Sequence, residues 1–96
     1  MIYDLECRYD TRKSFYGKAK VREWEDELSK TYSLYSYNTF VALYTEDKMS
    51  NLKIYNYLGK YSQTTTRHQK EFFKQHGLSD NEIKQLMKSG VLEIEN

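Results

Sequence analysis

Few side chains in this chain could do chemistry near neutral pH, and the two histidines are foremost among them. His68 sits in the stretch RHQK beside Arg67 and Lys70. A ribonuclease-like arrangement can be written there, with His68 as general base and Arg67 or Lys70 stabilising phosphate charge. That reaction needs a second acid or base across a cleft, and among ten tyrosines none is singled out. The same residues fit a solvated first helical turn, so no catalytic residue is assigned. His68 and His76 are eight residues apart, ~12 Å along a helix at ~1.5 Å per residue, too far to share an ion. Cys7 is the only cysteine and completes no zinc set, so neither metal nor cofactor is expected. It falls on the apolar side of an alternating segment, where a free thiol behaves as a small inert hydrophobe.

Two binding chemistries compete with catalysis. The stretch QKEFFKQHGLSDNEIKQLMKSG, residues 69–90, has the outline of a helix-turn-helix, which would place Asn81, Lys84, Gln85 and Lys88 in the major groove. Against it, Phe73 stands where the motif needs a small residue, and Asp80 and Glu82 put negative charge at the end that approaches phosphate. Residues 79–96 also carry four acids against two lysines. The second chemistry is a protein contact. Exposed tyrosines bury much area at low entropic cost. Tyr35, Tyr37, Tyr55 and Tyr57, with a basic helix face of Arg67, Lys70 and Lys74, are the expected partner-binding residues. The alternatives are tyrosines that line a small core and cations, Lys60 among them, on a solvated helix face.

Patterning gives the elements that must position these residues. In IYDLECRY (2–9) and FYGKAKVREW (15–24) apolar and polar residues alternate with the period of half-buried strands. Phe15, Gly17, Ala19 and Val21 share one side of the second, and Lys18, Lys20 and Arg22 the other. EDELSKT reads as loop or a short helical turn. YSLYSYNTFVALYTE (32–46) reads as one long strand with Tyr35, Tyr37, Thr39, Val41 and Leu43 on one side. LKIYNYLGKY follows as a hairpin arm with Leu52, Ile54 and Leu58 spaced by two, ending at Gly59. The period then changes to that of a helix from Thr66, with Gln69, Phe72, Phe73 and His76 on one face, Thr66 and Gln69 as a capping box, and Gly77 as the stop. A second helix has a Ser79–Glu82 capping box, a Leu78–Ile83 staple and a stripe of Ile83, Leu86 and Met87 before Gly90. VLEIEN can add a short edge strand. The expected fold is a single α+β domain over residues 1–96, with about four strands in a mainly antiparallel sheet and two C-terminal helices packed on one face.

Composition sets the outer limits. Ninety-six residues make one domain with one core, and ten Tyr, four Phe and one Trp make that core aromatic. With 15 basic and 14 acidic residues the net charge is +1, which provides no general field toward nucleic acid or anionic lipid. The opening MIYDLECRYD is interrupted by acids and no run approaches the ~20 apolar residues of a membrane span, so a soluble, cytoplasmic protein without membrane contact is expected. Proline is absent and no segment repeats.

Three segments together, YDTRKSFYGKA (9–19), SYNTFVALY (36–44) and YSQTTTRHQKEFFKQHG (61–77), resemble a family of small proteins carried by phages, plasmids and other mobile elements of Gram-positive bacteria. The resemblance implies a context, namely an anti-defence inhibitor such as an anti-CRISPR protein. Such a protein acts without catalysis by binding a host defence protein or ribonucleoprotein, for example a CRISPR nuclease. A DNA-binding regulator of the element's own genes is the alternative, and a small nuclease the remaining one.

Overall fold

The structure, a computed structural model, describes residues 1–95. In chain order the elements are β1 (Ile2–Asp4), β2 (Ala19–Glu25), β3 (Ser29–Ser36), β4 (Thr39–Asp47), β5 (Lys53–Tyr57), α1 (Gln63–Gln75), α2 (Asp80–Ser89) and β6 (Val91–Ile94). The α+β class and the two C-terminal helices are as expected, but the sheet has six strands. Their order is β1 to β6, every neighbouring pair antiparallel, with both helices inserted between β5 and β6.

One extra strand comes from a turn without glycine, and the other is β6, the short edge strand expected of VLEIEN. The run 32–46 is not one strand, because Tyr37 and Asn38 take φ of 50° and 69° and fold it into the β3–β4 hairpin. Two successive left-handed residues match the right-handed twist of the strands they join. Replacing Asn38 with glycine, the favoured residue there, should raise stability by a few tenths to about 1 kcal/mol in urea denaturation. EDELSKT is also a hairpin turn: Asp26 Oδ1 accepts from the amides of Leu28 and Ser29 at 2.8 and 2.9 Å, and Ser29 opens β3. At the other extreme, the first alternating segment holds strand geometry only over Ile2–Asp4, and the second begins its strand at Ala19, after Tyr16 and Gly17 turn at φ 54° and 73°.

Register decides which side each residue faces. Val21, Leu34, Ala42 and Tyr57 share one column of the sheet, and Tyr32, Tyr44, Tyr55 and Leu92 the next. These columns form the inner face, which the helices cover with Phe72, Phe73, Ile83 and Leu86 in one buried cluster. Tyr55, not Ile54, therefore points inward, the reverse of the expected phase of that arm. The β3–β4 register slips at Leu34/Tyr35, leaving Val41 as the extra residue of a bulge. Its carbonyl is taken by the buried amide of Gln69 at 3.0 Å, which also donates to the Gly59 carbonyl at 3.0 Å. Gln69 is thus a clamp between the bulge and the start of α1, and not a cap.

The N-cap of α1 is Ser62, four residues before the expected Thr66, with its hydroxyl accepting from the Thr65 amide at 3.1 Å. β-branched residues disfavour helix interiors. Here tertiary contact wins, because Thr65 is buried against Ser36, with their hydroxyls 2.8 Å apart. α1 ends as expected near Gly77 (φ 96°): the Gly77 and Leu78 amides donate back to the carbonyls of Lys74 and Phe73 at 3.0 and 3.1 Å. The α2 capping box is present in both directions, and Leu78 and Ile83 are both buried.

Between β1 and β2 the chain crosses the inner face as an irregular strap that buries Leu5 and Phe15 in the core. One side chain ties the strap to α1. Glu71 is 2% exposed, and its Oε1 accepts from the amides of Arg8, Tyr9 and Asp10 at 3.1, 2.8 and 2.9 Å. Gln75 Nε2 donates to its Oε2 and to the Glu6 carbonyl, both at 2.7 Å. Cys7 lies in this strap, partly buried against the core, and burial first, then Asp10 and Glu71, push its thiol above the ordinary value.

Candidate functional site

Both helices and the strap lie on the inner face, so the other face of the sheet is open. Its residues alternate with the inward columns. One row runs through Lys20, Tyr35 and Phe40, the next through Ile2, Arg22, Ser33, Leu43, Asn56 and Val91, and a third through Trp24, Thr31, Thr45 and Ile54. Trp24 is 44% exposed, Phe40 40% and Ile2 67%. Six strands at ~4.8 Å spacing, with β4 as the longest at ~3.3 Å per residue, give a face of at most about 700 Å². That is close to the ~800 Å² one partner contributes to a standard protein interface.

The face is preorganised. The Tyr35 and Phe40 rings pack with centroids 5.6 Å apart, and the Arg22 guanidinium sits over the Trp24 ring at 5.1 Å. Aromatic and arginine side chains held by neighbours lose little entropy on contact, and these types dominate binding hot spots. At the end formed by the β3–β4 turn the face becomes basic. A cleft of about 670 Å³ there is lined by Lys18, Lys20, Arg22, Tyr35, Tyr37 and Asn38, together with Ile2 and Gly17. Lys20 Nζ is 2.5 Å from Asp4 Oδ1, whereas Lys18 and Arg22 have no carboxylate partner among the described residues.

The structure separates the residues expected to bind a partner together. Tyr35 is on the open face and Tyr37 at its end, more than half exposed. Tyr55 is 1% exposed on the inner face, its hydroxyl donating to the His76 carbonyl at 2.6 Å, so it holds α1 to the sheet and offers a partner nothing. Tyr57 is on the same inner side, half-buried against the core, and burial raises its phenol. Arg67, Lys70 and Lys74 lie on the far side of the molecule, where α1 meets the strap. Arg67 pairs with Asp10 at 3.3 Å and Lys74 with Asp80 at 3.0 Å, whereas Lys70 has no carboxylate partner among the described residues. Asn81, Lys84, Gln85 and Lys88 are exposed on α2, whose other side lies against β5 and β6.

His68 is not at the surface. It is buried among Phe15, with ring centroids 4.5 Å apart, and Ser36, whose Oγ lies 2.8 Å from Nδ1. Burial holds its pKa below the ordinary value. Arg67 and Lys70 point to solvent, so the three groups of the ribonuclease-like arrangement do not converge. His76 is stacked on Tyr44 at 4.3 Å and edge-on to Phe72 at 4.9 Å, and burial lowers its pKa to about 4. Among the described residues no group of three or more His, Cys, Asp and Glu is placed to hold a metal. No helix among them is long and apolar enough to cross a membrane.

Sequence reasoning passed over Trp24, Phe40 and the joint role of Lys18, Lys20 and Arg22. A signal for part of this exists: Trp24 has the same parity as Lys20 and Arg22 in KAKVREW, so the solvent side of that strand carries a tryptophan among cations. Comparison with curated proteins and with solved structures gives no match. The model of a family of unknown function, DUF8033, matches residues 3–89, and the chain belongs to that family.

Proposed function

We infer that this protein works by stoichiometric binding, with the open face of its sheet as the working surface. The observation that carries the reading is the uncovered set of Trp24, Tyr35 and Phe40, with Arg22 stacked among them, on a rigid six-stranded platform. Aromatic side chains left partly exposed together on one face of a sheet support a site of association. The burial of His68 favours binding over catalysis as the mode of action. The class of partner, a host defence protein or ribonucleoprotein met in the bacterial cytoplasm, rests on the resemblance of the three segments to mobile-element proteins.

Affinity capture from a Gram-positive host lysate, with and without nuclease, tests the surface when run with variants. The pair Trp24→Ala and Phe40→Ala should weaken capture of the retained partner by about 100-fold, since two hot-spot rings each contribute tenfold or more. Thermal stability should fall by only a few degrees, because both rings are partly exposed and outside the buried core. Lys70→Ala and Lys74→Ala, on the far side, should leave capture unchanged. The opposite pattern would move the surface to α1 and refute the proposal. Retention of promoter DNA that is lost with Lys84→Ala and Gln85→Ala would establish the DNA-binding regulator in its place.

A further inference from the structure

The basic end of the open face has a composition its apolar centre lacks. In the cleft of about 670 Å³, Lys18, Lys20 and Arg22 meet two tyrosine rings; Lys20 is paired with Asp4, while Lys18 and Arg22 have no carboxylate partner among the described residues. The volume is within the ~300–1,000 Å³ of small-molecule sites. Its parts are fixed before any ligand arrives. The Tyr37 amide donates to the Lys18 carbonyl at 2.8 Å, which locks the start of β2 to the β3–β4 turn. Tyr35 is held by Phe40, and Tyr37 has its backbone set by the left-handed turn it shares with Asn38.

We propose that this cleft binds a short stretch of a single-stranded nucleic acid, with a base stacked on Tyr35 or Tyr37 and the neighbouring backbone phosphates held one each by Lys18 and Arg22. Tyrosine faces accept any base, and cations beside them neutralise the backbone, which is the chemistry of sequence-tolerant single-strand binding. The cleft opens onto the sheet face, so a strand can enter and leave it, whereas a duplex hides the base faces that the tyrosines need. The net charge of +1 is no obstacle, because the acids of residues 79–96 are remote from this end of the sheet. Asn38 adds an amide at the rim able to read a base edge. The inference deepens the proposed binding role by giving a ribonucleoprotein partner a nucleic-acid contact, yet it is measured without that partner.

Fluorescence anisotropy of the purified protein with labelled ten-nucleotide poly(U) RNA, poly(dT) DNA, a duplex of equal length and uridine monophosphate as competitor tests it. The single strands should bind, and two to three neutralised phosphates should make affinity fall about tenfold between 50 and 200 mM salt, from a slope of ~0.7 per phosphate. Tyr35→Ala should weaken binding about tenfold at constant salt slope. Lys18→Gln with Arg22→Gln should flatten the slope by about 1.4. Duplex binding equal to single-strand binding, or a neutral Tyr35→Ala, would reduce the cleft to a cationic patch and overturn the proposal. Competition by the mononucleotide as strong as that of the strand would overturn the strand as the source. No binding of any probe while lysate capture persists would refute the cleft alone and leave the protein-binding face standing.

Discussion

Glu71→Ala should lower the free energy of unfolding by about 3–5 kcal/mol, a large part of the ~5–15 kcal/mol of a domain. The carboxylate is almost fully buried and its Oε1 is the shared acceptor for the amides of Arg8, Tyr9 and Asp10. A hydrogen bond to a charged group is worth ~1.5–3 kcal/mol, and three that share one oxygen add to less than three times that. Alanine leaves those donors without an acceptor and also releases Gln75, which bridges Glu71 to the Glu6 carbonyl. For a domain of this length the loss corresponds to a Tm lowered by roughly 15–30 °C. Glu71→Gln keeps one carbonyl oxygen as an acceptor but removes the charge, so it should cost about half as much. Hydrogen exchange adds a local readout: the amides of residues 8–10 should lose protection before those of β3 and β4. A change below about 1 kcal/mol in Glu71→Ala would mean that Leu5 and Phe15 alone hold the strap.

Glu71 also shows where the sequence stops being legible. A glutamate between Lys70 and Lys74 on a helix reads as a surface acid among cations, because its true partners are backbone amides, which every residue carries and no pattern reveals. The reverse holds for α2. Its caps, staple and apolar stripe are local, made by residues within five of each other, and all are found where the sequence puts them. α1 was misplaced at its start because the burial of Thr65 against Ser36, 29 residues away, overrides the poor helix propensity of a threonine run. The β3–β4 hairpin was hidden because SYNTF has β-forming residues on both sides of its turn and no glycine within it. That missed turn had the largest consequence for the site. With Tyr37–Asn38 read as strand, Tyr35, Tyr55 and Tyr57 are all expected at one contact surface, whereas the hairpin and the Val41 bulge send Tyr35 to the open face and the other two inward. The cations of β2 were placed on the correct side by parity, but what stands beside them depends on pairing across three strands.

Acidification from pH 7.5 to 5.0 should destabilise the protein through its two imidazoles. Both imidazoles have folded-state pKa values below the ordinary 6.5, His68 by burial and His76 by burial to about 4. In each, the folded state disfavours the proton that the unfolded state accepts. Stability is therefore fully present above pH 6.5 and is lost as pH falls toward the folded value. For His76 alone a difference of 2.5 pH units corresponds to about 3 kcal/mol once pH is below 4. Glu46 and Glu23 oppose this shift, and Lys30 and Lys53 reinforce it. The carboxylates of Glu25, Asp26 and Asp47 are held below their ordinary values of 4.5 and 3.8, so they contribute only at lower pH, with the same sign. Urea denaturation at pH 7.5, 6.0 and 5.0 should show unfolding free energy falling at each step. In His76→Phe, which keeps a ring among Tyr32, Tyr44 and Phe72, the fall should be markedly shallower. Stability that is constant from pH 7.5 to 5.0 in the wild type would mean that both imidazoles accept protons in place, and that the aromatic packing around His76 opens to water without cost.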